Sequence, residues 1–436
     1  LDLTARLREL HGLGVEKVRI TYSDLHGVPR GKDVPLPQFE SIAANGAGFC
    51  CANLTDGLAI SLASLPARPA EPAFPDLRVL PLLETLAQIP WEKDTAWCIA
   101  TVDPKDVHSS KSPRNLLERA VAAYQAIGLT PIAAPELEFY LLKRGVDGRI
   151  EPIENEPSMV YMLGERADPG GLVRAMLRYA NEAGLMATAA YHECGRGQYE
   201  INLQHGEALD AADRGFRFKQ MVKEVASRHQ ILATFMGKPF AIDAGSGLHL
   251  HLSLQDERGN RFMSDSHQIS DLARHFLAGV LTHAAGLTAF CAPTVNSYKR
   301  LVPGTLVPTV ADWGWDNRNT YVRVPPERGP ATRLELRSAD AAANLYLVLG
   351  ANLLAGLDGI KRKLEPPPPN LDGSSNGNRL PTRLEESLQA LCNDLYLTEA
   401  LGKPLVDAFC TVKSMEAERY RLHVSEWEMK EYAWHL

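Results

Sequence analysis

A chain of 436 residues exceeds what one hydrophobic core usually serves, so two domains are expected, and 45% hydrophobic residues suffice to bury them. Lys and Arg number 46 against 53 Asp and Glu, a net charge of −7 without a basic patch, which argues against nucleic acid or an anionic membrane surface as partner. Seven scattered cysteines read as reduced thiols rather than a disulfide framework; no apolar run reaches the roughly 18 residues of a membrane span, and the start LDLTARLREL alternates charges instead of building a signal peptide, so a soluble cytoplasmic protein is the expectation.

In chain order, a short helical start leads into a strand over residues 17–22, closed by the turn Asp24-Leu25-His26-Gly27. Strand-like pieces continue to about Asp103, among them 77–80 and 96–100, and predict a small β-rich domain. Cys50 and Cys51 read as small buried side chains rather than redox groups. The polar, serine-containing stretch 104–113 reads as a linker and 114–127 as an amphipathic helix, which divides the chain into residues 1–108 and 109–436. Helical runs follow near 170–184, 206–229, 267–287 and 338–362, and two more helices close the chain. The proline run beginning at Glu365 and continuing to Asn378 predicts an exposed, extended loop.

Four strand-like segments in the second part carry charge on one face only. Side chains alternate across a strand, so Glu136 and Glu138 of PELEFY face away from Leu137 and Phe139, and Gln198, Glu200 and Asn202 face away from Tyr199 and Ile201. His249, His251 and Ser253 likewise oppose Leu248, Leu250, Leu252 and Leu254, and Arg333, Glu335 and Arg337 oppose Leu334 and Leu336. Any one of these alone reads as a solvated face over a buried one. Together they are poor in lysine and rich in oxygen donors, imidazoles and guanidinium forks, and Glu193 and Arg300 add to the set. Five glutamates and one histidine suit two hard divalent cations bound mainly through oxygen, as at sites handling nucleotide phosphates. Zinc fits worse, because no cysteine pair has ligand spacing.

The order and spelling of these segments resemble the glutamine synthetase family, over roughly Val15 to Tyr432. PELEFY is similar to that family's metal-binding PEPEFF-type strand, and HEC followed by the YE of Tyr199 and Glu200 resembles its HEV...GQxE segment. GSGLHLHLSL resembles its SGMHxHMS segment, and NSYKRLVPG matches its signature almost letter for letter. The resemblance implies an α+β fold, with an N-terminal β-grasp-like domain and a catalytic domain made of a curved antiparallel sheet with outer helices. It also implies two Mg2+ or Mn2+ ions per site, one held by Glu138, Glu193 and Glu200 and one by Glu136, His249 and Glu335. L-Glutamate would lie against Gly245, Arg300 and Arg337. ATP would meet His251, Ser253, Arg323 and Arg333, with Arg318 on the phosphoryl group in transit; Glu138 and Arg318 are the residues given a catalytic role. A homo-oligomer of hexameric rings is implied, each site lying between one subunit's catalytic domain and its neighbour's N-terminal domain. The short segment after Tyr140 favours a single ring, and the loop between Leu364 and Pro381 lacks the tyrosine that some bacterial members adenylylate.

Two departures bear on the nucleophile. Ammonia-using members have an FDGSS-type motif whose aspartate helps bind and deprotonate ammonium, and here Phe49-Cys50-Cys51-Ala52-Asn53 stands in its place. They also have a glutamate two residues after the glycine of the NSYKRLVPG segment, where this chain has Leu306. The stretch Asp312-Trp313-Gly314-Trp315-Asp316-Asn317-Arg318 resembles the WGxDNR segment of the family's glutamate-amine ligases. Trp313 and Trp315 therefore have two readings, an amine pocket shared with Leu306 or interface packing, and Asp312 and Asp316 read either as partners of a diamine's distal charge or as solvated loop carboxylates. Ala244 replaces a frequent asparagine while the adjacent Gly245 is retained. The expected reaction is ATP-dependent joining of glutamate's side-chain carboxylate to an apolar or aromatic monoamine, or to a polyamine. Ordinary glutamine synthesis and a non-catalytic structural relative are the alternatives.

Overall fold

The computed structural model describes residues 2–58, 74–154, 159–264, 268–371 and 377–436. Its first sheet is made of β1 (Lys17–Ser23), β2 (Pro29–Pro35), β3 (Ala47–Cys50), β4 (Asp76–Pro81), β5 (Ala87–Ile89) and β6 (Glu92–Val102), in the order β2-β1-β6-β4-β3 with β5 beside β6. β1 pairs with β2 as a hairpin and runs parallel to β6, which gives the β-grasp-like arrangement. The long strand β6 is buried on both faces. Ala96, Cys98, Ala100 and Val102 enter the N-terminal core, while Trp97 and Ile99 enter the larger core of the rest of the chain. Trp91 fastens the same side, its indole donating to Glu224 Oε2 at 2.8 Å.

The stretch expected to be a free linker is an ordered connector. Residues Val107–Lys111 form a 3-10 turn with His108 buried; Asp106 accepts the His108 N–H at 2.9 Å, and Ser112 caps the helix Pro113–Gln125. The polar residues that suggest a linker are the capping residues of two successive helical turns.

The second sheet holds the charged segments. Its strands are β7 (Thr130–Arg144), β8 (Ile150–Pro152), β9 (Ala187–His192), β10 (Gln198–Leu203), β11 (Gly206–Glu207), β12 (Leu232–Thr234), β13 (Leu248–Asp256) and β14 (Gly259–Asn260). Beyond β15 (Val310–Ala311), which pairs with β19 (Asn378–Arg379) away from this sheet, it continues through β16 (Trp313–Trp315), β17 (Val322–Val324) and β18 (Leu334–Leu336). The main order is β16-β17-β18-β13-β7-β10-β9, antiparallel except for β16 with β17. Leu137, Phe139, Leu248, Leu250 and Leu252 are buried in the core, and Phe139 meets Phe218 of the helix Ala208–Arg228 edge to face at 6.3 Å.

The long helices differ from expectation at their ends. The run 267–287 is two helices, Asp271–Thr282 and Ala284–Cys291, broken at His283. The run 338–362 becomes helical only at Leu345, because Asn344 caps it and residues before it turn toward the N-terminal sheet, where Asn344 Nδ2 donates to the Asp24 carbonyl at 2.9 Å. Four helices rather than two close the chain: Leu384–Asn393, Leu395–Leu401, Lys403–Arg421 and Glu426–Tyr432. The seven cysteines are free thiols; Cys51 is buried and Cys50 partly so. Among the described residues no helix is long and apolar enough to cross a membrane.

Candidate functional site

Register brings the charged residues together. On β7, Glu136 stands opposite His249 of β13, and Glu138 opposite Glu200 of β10; His251 of β13 stands opposite Glu335 of β18, which in turn faces Arg323 of β17. Because the pleat repeats every two residues, all these side chains share one face of five adjacent strands.

The polar contacts fix most of them. Arg333 Nε, which can only donate, lies 3.0 Å from His251 Nδ1, so the other ring nitrogen carries the proton and donates to Glu136 Oε1 at 2.9 Å. His249 Nδ1 lies 3.4 Å from Glu136 Oε2, and Asn202 Nδ2 donates to Glu136 Oε1 at 3.2 Å. Glu138 Oε2 accepts from Gln198 Nε2 and from the Gly247 N–H, both at 2.9 Å. Glu200 accepts from the Tyr191 hydroxyl, and Glu335 accepts from Arg323 Nη1 at 2.5 Å and from Arg337. Gln198, Gly247 and Tyr191 were not expected as site residues. Gln198 was legible in the alternation of its strand; Tyr191 follows only from the register, since it pairs with Glu200 across β9 and β10.

Electrostatics divide the carboxylates into two kinds. Burial raises the Glu200 carboxyl well above its usual range, and the charges of Glu138 and Glu136 add to it. Burial, then Glu138, pushes Glu193 up to about 7. Burial also opposes ionisation of Glu136, but hydrogen bonds from His249 and His251 outweigh it and hold that carboxyl well below the usual range. Glu335 is lowered too: burial opposes, and His249, Arg337, His251 and Arg323 prevail. Packed carboxylates that resist ionisation through burial and mutual repulsion are donor groups that a cation would stabilise.

Among the described residues, two donor sets of three have ligand atoms within 4.8 Å of one another: Glu136, His251 and Glu335, and Glu136, Glu200 and His249. Carboxylate oxygens with imidazole suit magnesium or manganese. The first set contains His251 where the resemblance implies His249, because His251 is the direct cross-strand partner of Glu335. His249 also reaches Glu335 electrostatically, so both imidazoles border that carboxylate.

The remaining expected residues fall in three places. Arg300 is buried, gives Nη1 to the Ser338 carbonyl at 3.3 Å, and keeps a buried Nε without a partner. A Cβ on Gly247 would stand 3.0 Å from Arg300 Nη2, from Glu138 Oε1 and from His249 Nε2, so glycine leaves a space where these three converge. A Cβ on Gly245 would meet the Gly237 carbonyl at 2.8 Å, and the Gly245 carbonyl accepts from Gln198 at 3.0 Å. Ser253, His251 and Arg333 line a cavity of about 330 Å³ that also reaches Glu136. Arg318 is exposed, and its carbonyl accepts from Arg337 Nε at 3.0 Å.

The nucleophile residues are not gathered in this way. Leu306 is 58% exposed with a left-handed φ of 57°. Trp313 is buried and donates to the Pro367 carbonyl at 2.7 Å, which ties the proline run back onto the sheet instead of leaving it free. Trp315 is half-buried, edge to face with Trp313 at 5.2 Å, and carries the Arg328 guanidinium over its ring. Asp312 is buried and holds the Tyr321 N–H and the Asn370 amide, so it is no solvated loop carboxylate, whereas Asp316 is an exposed loop carboxylate that pairs with Arg323. Phe49 packs in the N-terminal core against Tyr22.

Comparison with known proteins matches the description "Glutamine synthetase, catalytic domain" to residues 110–432. A glutamine synthetase of Thermus thermophilus is 35% identical over 441 residues, covering 98% of this chain and 97% of the relative. One of Halobacterium salinarum is 31% identical, covering 98% and 96%. Among solved structures, GmaS in complex with ADP superposes with a TM-score of 0.88 at 35% identity, covering 99% of each chain. A novel glutamine synthase homolog superposes at 0.82 with 27% identity, covering 96% and 98%.

Proposed function

The chain belongs to the glutamine synthetase family, and from that premise we propose that it joins the γ-carboxylate of L-glutamate to an amine other than ammonia, at the expense of ATP. The similar proteins do not decide the nucleophile, since a glutamine synthetase and GmaS are both 35% identical to this chain. Leu306 carries the proposal: an apolar side chain stands where an ammonia enzyme of this family needs a carboxylate, and Phe49 to Asn53 lack the second one.

Carboxylate is a poor acylating group, so the γ-phosphoryl of ATP is first transferred to it and the amine then displaces phosphate. Arg300 and Arg337 hold glutamate beside Gly245, and the crowding at Gly245 and the space at Gly247 let backbone approach the amino acid closely. Arg323 and Arg333, with His251 and Ser253, receive the nucleotide, and the exposed side chain of Arg318 meets the equatorial phosphoryl oxygens. Glu138, Glu193 and Glu200 would hold one Mg2+ or Mn2+, and Glu136, His249 and Glu335 the other; when bound, the ions neutralise charge on the phosphates. Gln198 and the Gly247 N–H fix Glu138 in place, and Tyr191 fixes Glu200. The assembly proposed is a hexameric ring in the cytoplasm, with a neighbour's residues near Cys50 closing the amine side, and the domain boundary proposed stays near residue 108.

Incubation with ATP, glutamate and a panel of amines, with products read by mass spectrometry, tests this reading. γ-Glutamyl amides of carbon-bearing amines support it; glutamine as the dominant product refutes it in favour of an ammonia enzyme, and no ADP release with any amine refutes catalysis.

A further inference from the structure

A cavity of about 880 Å³ lies between the β1–β2 hairpin, the helix Ala208–Arg228 and the segment 293–296, on the other side of the sheet from the charged face. Its wall is apolar, with Phe235, Phe290, Leu347 and Phe409. Lys219 and Lys223, one helical turn apart, place their ammonium groups 5.3 and 5.9 Å from the centroid of the Phe235 ring. Like charges at that spacing repel. Lys219 donates to the Ala343 carbonyl at 2.8 Å and feels the buried Asp340 carboxylate through space, and among the described residues neither lysine forms a direct ion pair.

The acidic groups of the cleft are already engaged. Glu224 accepts from Arg19 at 3.3 Å and Trp91 at 2.8 Å, Asp33 from Arg19 at 2.9 Å, and Glu416 from Lys413 at 2.9 Å. Burial pushes the Lys219 ammonium down to about 7, the Lys223 charge adding to it and the buried Asp340 carboxylate opposing it, the direction expected for a cation on an apolar wall.

We propose that this cleft binds a small amphipathic anion, with its carboxylate or phosphate on Lys219 and Lys223 and its apolar body on the Phe235 wall. One residue of the cleft is linked to the candidate site. Asn296, which lines it, accepts the Lys238 N–H at 2.8 Å and donates to the Lys238 carbonyl at 2.9 Å. Lys238 leads into the loop ending at Gly245, and Ser297–Lys299 lead directly to Arg300. An occupant pressing on Asn296 therefore shifts both ends of the proposed glutamate site, a consequence that rests on the roles given to Gly245 and Arg300.

Phenyl phosphate, titrated calorimetrically into the full chain with excess ADP present to fill the nucleotide site, tests the cleft itself. Binding is expected to weaken at least tenfold in K219M/K223M and to survive in K219R/K223R. Inorganic phosphate and benzyl alcohol, each carrying half of the chemistry, should bind at least tenfold more weakly than phenyl phosphate. The methionine variant should unfold at or above the wild-type temperature, because it removes two mutually repelling charges from an apolar wall; if it does not fold, K223M alone decides. Equal affinity in wild type and the methionine variant, or no binding by wild type, overturns the proposal, and equal affinity for inorganic phosphate overturns its apolar half. Saturating phenyl phosphate should change the KM for glutamate at least twofold in wild type alone; intact lysine-dependent binding without that change overturns the coupling and leaves the cleft standing.

Discussion

On the central sheet, Glu136, Glu138, Glu200, His251 and Glu335 each sit opposite a named cross-strand residue and hold a hydrogen bond to a fixed partner. Leu306, by contrast, lies on an exposed turn with a positive φ and none of that scaffolding. The first region is preorganised, so its chemistry is set by the fold. The second is a loop, where a side chain can be exchanged without disturbing the sheet. Substitutions should therefore behave differently in the two regions, with loss of turnover in the first and exchange of substrate in the second.

The largest effect is expected on the sheet. Glu138→Ala or Glu200→Ala should lower ADP release by about 10³-fold while the chain stays folded, since each removes an electrostatic partner of the phosphoryl transfer and relieves repulsion among neighbouring carboxylates. Circular dichroism and metal titration check this, and unchanged metal affinity in both variants would sink the assignment of two ions. Arg318→Lys comes next, with kcat lowered about 10²-fold and KM for ATP little changed, because an ammonium cannot match a fork on two phosphoryl oxygens. Should ATP binding collapse while single-turnover chemistry stays normal, Arg318 belongs to binding instead.

A smaller effect, confined to stability, is expected at His283, which belongs to neither region. Burial pushes its imidazolium pKa down, but hydrogen bonds to Asp394 at 2.6 Å and Asp358 at 3.1 Å outweigh it and raise the pKa above the ordinary 6.5. The cation's contribution is complete below 6.5 and is lost as pH rises through the raised folded value. His283→Asn should cost about 2 kcal/mol at low pH and flatten the decline in thermal stability above 6.5, with the amine preference untouched. A decline of the same size in the variant would show that another group titrates.

The same contrast explains what was legible beforehand. Strand alternation alone put Glu136, Glu138, Glu200, His249, His251 and Glu335 on the right faces, because a period of two leaves little freedom once the apolar partners are buried. Which imidazole meets which carboxylate was not legible, since Glu335 against His251 depends on a register between strands more than 80 residues apart in sequence. The break at His283 and the late start of the helix at Leu345 escaped for a similar reason: both are set by partners on distant segments, Asp394 and the Asp24 carbonyl. The serine-containing connector looked like a linker because caps and linkers draw on the same residues. Around Leu306 there was no period to read, and only the identity of the side chain carried information.

The central claim is that the nucleophile has changed while the phosphoryl chemistry has not. It is tested most directly by kcat/KM for a series from ammonium through methylamine and putrescine to an aromatic monoamine such as benzylamine, in wild type and in Leu306→Glu. Burying carbon against Leu306 contributes at roughly 25 cal/mol per Å², so about 55 Å² of newly buried apolar surface is worth about a factor of 10. The prediction is that the apolar monoamines exceed ammonium in wild type, with putrescine between them, and that Leu306→Glu shifts the preference back toward ammonium and cationic amines. Equal or better efficiency with ammonium in wild type would contradict the account and make this chain an ammonia-using glutamine synthetase with an altered flap.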